Sequence, residues 1–284
     1  MDAVSEKIVK QYCDELGRLN YSENTIITYK SAFIEYMAYF SFQDIPNKTY
    51  DEILAFLTKR ANIDKISSSY QNQLINAIKF YYEKVLGQDK KFYYLKRPFK
   101  EEKLPDILSV QDIKKLFSVI KNKKHKAILY VIYSCGLRIS ELINLKFSDI
   151  DRSDMSLKVR QGKGKKDRII TLEQSTLNAL KDYYKSLDEK PKEYFFGGQS
   201  KQTEAYSTTS IRSFLKRYCI MAGVKVISPH KLRHSYATHL RDMGVDLSII
   251  QEMLGHDSPK STLIYAKLSS KRRKELPRLL DNII

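Results

Sequence analysis

Near the start of the chain, apolar residues recur three and four positions apart in Ile8, Tyr12, Leu16 and again in Ile26, Tyr29, Phe33, Met37. That spacing lines one face of a helix and turns it towards a core. Ser22-Glu23-Asn24 lies between the two runs and supplies a helix start. Further helical patterns run from about 50 to 60 and from 68 to 86, the second closing at Gly87, a residue suited to the left-handed turn that ends helices. These four segments predict a four-helix unit. The stretch 88–107 is polar and basic and carries Pro98 and Pro105, so it reads as extended chain between domains.

Beyond it, Ser109 is placed to cap a helix over 110–121, and a strongly apolar helix follows over 124–134. Cys135-Gly136-Leu137 breaks that helix and restarts the next. Leu157–Arg160 and Arg168-Ile169-Ile170-Thr171-Leu172 flank Gly162-Lys163-Gly164 and predict a β-hairpin, the one clear sheet signal. The remainder is helical. Ser228-Pro229 and Ser258-Pro259 each set a capping serine before a proline at the first helical position, and Gly244 and Gly255 end helices between them. The fold class is therefore mainly α with a small β-hairpin, divided into a helical domain over 1–95, a linker over 96–107 and a second domain with a C-terminal tail over 108–284.

Composition changes this picture through charge. The chain of 284 residues carries 50 Lys and Arg against 33 Asp and Glu, a net +17. The first 95 residues hold 12 of each sign, so the rest of the chain carries 38 basic residues against 21 acidic ones. A surplus of this size points to a polyanion as partner, and to binding that weakens steeply with salt. No apolar run is long enough to span a membrane, and the start lacks a secretory pattern, which predicts a cytoplasmic protein with no membrane partner. The cysteines Cys13, Cys135 and Cys219 are too scattered for disulfides or a paired zinc motif and read as buried thiols.

Four segments carry the chemistry: GLRISEL around Arg138, GKGKKDR around Lys163, SPHKLRHSYATHL around His230 and Arg233, and LGHDSPKSTLIYAKLS around His256 and Tyr265. Arg138 and Arg233 are fitted to phosphate, because a guanidinium stays charged and presents a planar fork to its oxygens. Glu141, three residues after Arg138, can orient it from the same helix face. His230 and Arg233 are also three apart, near a helix N-terminus that itself favours an anion. GKGKK lacks the glycine spacing and the closing Lys-Ser/Thr of a nucleotide-binding loop. His230 and His234 lie one turn apart with Cys219 near in sequence, which raises a metal site; with no Glu between the histidines and no paired cysteines, no metal and no cofactor is expected. His234 and His239 read as packing or hydrogen-bonding residues of the same helix.

In order and spacing, these segments resemble the active-site signature of the tyrosine recombinase, or phage integrase, family, in its compact Xer-like form. YSENTIITYKSAFIEYMAYF is similar, less specifically, to the helical core-binding domain of that family. The resemblance implies a catalytic domain of mixed α/β kind behind a SAM-like helical domain, and a site-specific DNA recombinase working through a 3′-phosphotyrosyl intermediate. It implies Tyr265 as nucleophile, His230 as general base, Arg138 and Arg233 as phosphate clamp and His256 as a hydrogen-bond donor to the phosphate. It makes Lys163 the acid for the leaving group, with Lys165 and Lys166 close by in the same turn. Duplex DNA is the implied partner, with a homotetramer on two sites as the working unit. In the resembled family, tails such as the apolar stripe Leu276, Leu279, Leu280, Ile283 and Ile284 dock on a neighbouring protomer; the other reading is packing on the tail's own domain. The competing functions are an inactive DNA-binding regulator of the same fold, a type IB topoisomerase and a zinc hydrolase.

Overall fold

A computed structural model describes residues 2–88, 97, 107–160, 167–191, 193–198, 204–255 and 277–284. The chain forms two compact units, residues 1–103 and 104–284, each with its own apolar core.

The N-terminal unit holds α1 (Ala3–Arg18), α2 (Glu23–Tyr39), α3 (Tyr50–Asn62) and α4 (Ser68–Phe80). Each begins at a side-chain cap. Asp2, Ser22 and Ser67 accept from backbone N–H groups of the first turn, and Thr49 and Glu52 form a reciprocal capping box. The expected helix over 68–86 changes character at residue 81 and continues as a π-helical turn, Tyr81–Val85, before Gly87 takes φ +64°. The wide turn lets two consecutive aromatic residues face inwards: Tyr81 and Tyr82 are both fully buried. The Tyr82 hydroxyl donates to the Ile45 carbonyl at 2.6 Å and lies 2.7 Å from that of Tyr36.

The C-terminal unit is built around α6 (Lys123–Ser134), whose residues from Ala127 to Ser134 are all buried. A helix apolar on every side must be covered on every side. It is packed by α7 (Ile139–Ile143), α8 (Gln174–Lys185), α9 (Thr208–Met221), α10 (Pro229–Asp242) and the terminal α12 (Leu279–Ile283). Before it, α5 (Val110–Ser118) is capped by Ser109 as expected but stops short of 121, because Asn122 is needed to cap α6. Between α10 and α12 lies α11 (Leu247–Leu254), closed by Gly255 at φ +62°.

The hairpin pairs β2 (Ser156–Val159) with β3 (Arg168–Thr171), and a two-residue strand β1 (Ile150–Asp151) adds a third antiparallel member. In the register Leu157 faces Ile170 and Val159 faces Arg168. Alternation buries Leu157, Val159 and Ile170 while Lys158 and Ile169 stay outside, so Arg168, two residues before Ile170, sits on the inward face.

The end of the tail is covered by its own unit. Leu279, Leu280 and Ile283 of α12 are buried in the core around α6. Asp281 caps the start of α8 from more than a hundred residues away, accepting from the N–H groups of Gln174 at 3.1 Å and Ser175 at 2.8 Å. Glu173 answers by accepting from the Asp281 N–H at 2.9 Å, and burial raises its carboxyl to about 7. Of the two readings of the tail, packing on its own domain is the one seen for α12 in the single chain. Leu276 lies outside the described residues.

Candidate active site

Arg138 enters the site from a sharp turn. Gly136 adopts φ +57°, and a Cβ there would meet the Leu254 side chain at 2.5 Å. Only glycine fits between the end of α6 and α11, and this close approach sets where Arg138 leaves the chain. Arg138 is the N-cap residue of α7, and Glu141 in the first turn accepts its backbone N–H at 2.9 Å and its Nη1 at 2.8 Å. The sequence pairing of these two residues is thus present in the structure.

Glu141 also receives a second arginine, Arg168, which the sequence pattern marks only as a residue of the hairpin strand. Arg168 donates from Nη1 to Oε1 at 2.9 Å and from Nη2 to Oε2 at 2.7 Å, a two-bond fork. The signal that could have found it is the inward face of β3, where an arginine beside Ile170 must have a partner. Arg233, from the first half of α10, stands near the same carboxylate, its Nη1 3.8 Å from Oε2. Side-chain exposure is 5% for Glu141, 3% for Arg233, 9% for Arg168 and 24% for Arg138, so this is a largely buried cluster open on the Arg138 side.

The same three arginines converge on the end of α11. Arg168 Nε donates to the Met253 carbonyl at 3.0 Å, Arg233 Nη2 to Leu254 at 2.5 Å and Arg138 Nη2 to Gly255 at 2.7 Å. The last carbonyls of a helix have no partner within it and carry the negative end of its dipole, which accounts for three cations taking three successive oxygens. Gly255 is the last residue described before His256.

Three guanidiniums around one carboxylate leave a surplus of positive charge. Burial works against ionisation of Glu141, yet the Arg168 hydrogen bonds and charge, followed by the Arg138 contacts, hold its carboxyl below the usual range. Arg233 is pushed down to about 10, by burial first and then by repulsion from Arg138, and is still a cation at neutral pH. Its Nη1 is buried and has no hydrogen-bond partner among the described residues.

His230 lies one turn before His234 on α10, with their Nε2 atoms 3.1 Å apart. One ring donates and the other accepts, so one of the two facing nitrogens is unprotonated. Burial, then His234, Arg233 and Arg138 lower the pKa of His230, which favours the neutral, proton-accepting imidazole. His239 is apart from this group, buried with its Nδ1 2.8 Å from the Tyr133 hydroxyl. Of the residues singled out in the sequence, Arg138, Glu141, His230 and Arg233 come together; Lys163, His256 and Tyr265 lie outside the described residues. Among the described residues no group of three His, Cys, Asp or Glu side chains is arranged to hold a metal ion.

Residues 106–272 match the phage integrase family and residues 8–91 match the phage integrase N-terminal SAM-like domain. The chain is 34% identical to the tyrosine recombinase XerA of Pyrococcus horikoshii, over all of this chain and 98% of that protein. It is 33% identical to the tyrosine recombinase XerD of Rickettsia bellii, over 89% of this chain and 91% of that one. A crystal structure of XerA recombinase is similar with a TM-score of 0.51 at 27% identity, covering 95% of this chain and 96% of the other. The Tn1549 transposon integrase in complex with circular intermediate DNA shares the fold, with a TM-score of 0.68 at 18% identity over 95% of this chain and 99% of that one. The matches cover both units: the chain belongs to the phage integrase family of tyrosine recombinases.

Proposed function

We propose that this recombinase breaks and rejoins duplex DNA through Tyr265. Its phenolic oxygen attacks a backbone phosphate, forming a 3′-phosphotyrosyl ester and releasing a 5′-hydroxyl. The 5′-hydroxyl of a partner strand then attacks that ester and releases the tyrosine. One phosphodiester is exchanged for another of similar energy, so the reaction is reversible and needs neither ATP nor a metal cofactor.

The observation that carries this reading is the surplus positive charge around Glu141, with a buried Arg233 Nη1 in it that has no hydrogen-bond partner among the described residues. A buried donor without a partner is costly, on the order of 1–3 kcal/mol, and such a group in a cationic cluster is suited to an anion. Phosphate fits: its non-bridging oxygens gain charge as the five-coordinate state forms, and Arg138 and Arg233 can meet them. Tyrosine has a reference pKa near 10, so roughly a thousandth is phenolate at neutral pH. His230, held neutral beside the arginines, takes the proton and returns one in the reverse step. Lys163 protonates the leaving 5′-oxygen and His256 donates to the phosphate.

Both domains, 1–95 and 108–284, serve duplex DNA, and four protomers act on two sites. In that assembly the C-terminal tail links neighbours. Because α12 contributes Leu279, Leu280 and Ile283 to its own core, removing the tail also opens that core, and Asp281→Ala is the gentler probe of cooperative assembly.

The test is a nicked duplex of a candidate site, incubated with the protein in excess EDTA and run on a denaturing gel. A DNA-linked protein band that is lost in Tyr265→Phe is expected. Its repeated absence on DNA that the protein binds would favour a catalytically inactive DNA-binding regulator.

A further inference from the structure

Arg168 is the one arginine of the cluster with no evident task toward phosphate, since its guanidinium is already engaged. Both Nη atoms are committed to Glu141 and Nε to the Met253 carbonyl, and the side chain is 9% exposed. Glu141 accepts four hydrogen bonds, two from Arg168 and two from Arg138. The nearest cation it does not bond is Arg233, whose Nη1 lies 3.8 Å from Oε2, about one ångström beyond a hydrogen bond. That gap decides what the site can do. If the carboxylate swung towards Arg233, it would neutralise the buried donor that has no partner among the described residues, and the cluster would lose its hold on an anion. A buried carboxylate deprived of two donors moves to the nearest replacement, because leaving its oxygens unsatisfied costs more than the rotation.

We infer that Arg168 is a positioning residue for cleavage: by occupying both oxygens of Glu141 it holds that carboxylate off Arg233 Nη1 and keeps the donor free for the scissile phosphate. The inference rests on the phosphate reading of Arg138 and Arg233. It also gives the pairing of charges a direction. Glu141 anchors Arg138 by two bonds and is itself anchored by Arg168, so the carboxylate serves one arginine without silencing the other. Placement matters at this scale, since an error of about 1 Å in a catalytic group can cost on the order of a hundredfold in rate.

The experiment measures single-turnover formation of the DNA-linked protein on the nicked duplex, alongside duplex binding and thermal melting. The proteins compared are the intact full-length protein, Arg168→Gln, Arg168→Lys, Glu141→Gln and the double variant Arg168→Gln/Glu141→Gln. Arg168→Gln should cleave about a hundredfold slower, while binding, spread over many phosphates, changes less than about threefold. Arg168→Lys, which cannot satisfy both oxygens at once, should fall between. The discriminating result is the double variant: with the negative charge of residue 141 removed, cleavage should recover about tenfold relative to Arg168→Gln alone. A purely structural role predicts no such recovery. The inference is overturned if the double variant cleaves no faster than Arg168→Gln, if Arg168→Gln cleaves like the parent, or if melting and binding collapse in both Arg168 variants alike. Failure of the parent protein to form the covalent band would instead overturn the phosphate reading on which the inference stands.

Discussion

The two units bury their polar groups in different ways. In the N-terminal core the hydroxyls of Tyr12, Tyr36 and Tyr82 are tied to backbone or to each other: Tyr12 donates to the Ala77 carbonyl at 3.1 Å, and Tyr82 bridges Tyr36 and Ile45. Stacked and edge-on rings surround them, with Tyr12 over Phe33 at 4.3 Å. At α11 in the C-terminal unit three arginines meet the Glu141 carboxylate, and among the described residues Arg233 Nη1 is buried without a hydrogen-bond partner, as are the carboxylate oxygens of Glu252. A hydroxyl paired inside a core stabilises a fold and needs no ligand. A buried donor inside a cationic cluster costs stability unless an anion completes it, and that sets the arginines at α11 apart from the tyrosine network.

Three measurements can break or sharpen that contrast. The largest effect should come from Arg233→Lys, which keeps the charge and loses the fork: cleavage should fall by about a hundredfold to a thousandfold with duplex binding little changed, as measured by covalent-band formation. A fall below tenfold would mean that the free donor is not used. Next is pH. The pKa of His230 is lowered from 6.5, and with its neutral ring as the proposed base, lowering the pH through 6.5 should leave most of the cleavage rate intact, the loss appearing only at more acid values. A rate that already halves above pH 6.5 would contradict it. The smallest effect belongs to the N-terminal unit. Tyr36→Phe removes one satisfied hydroxyl, so chemical denaturation should show a loss of about 1 kcal/mol and single-turnover cleavage should not change.

The features legible in the sequence were those in which a local rule decides. Capping residues located the helix starts at Ser22, Ser109 and Ser228, and glycine located the ends at Gly87, Gly244 and Gly255. Two elements escaped. The β1 strand has two residues, too few to show alternation, and the π-helical turn at Tyr81–Val85 depends on hydrogen bonds to Ile45 and Tyr36 that lie 37 and 46 residues away. The site divides along the same line. Arg138, Glu141, His230 and Arg233 share short helical spacings within motifs. Arg168 is tied to them only through space, by a carboxylate 27 residues earlier and a carbonyl 85 residues later.

The convergence of three arginines on α11 also bears on when the enzyme can first act. The carbonyls of Met253, Leu254 and Gly255 are reached from residues 85, 21 and 117 positions away along the chain. Contacts between such distant segments form late, after the helices and the hairpin exist and have docked. A chain still folding carries basic residues that attract DNA before this arginine cluster is assembled. With the cluster as the proposed phosphate clamp, strand cleavage then waits for the completed fold, and attraction to DNA precedes the power to cut it.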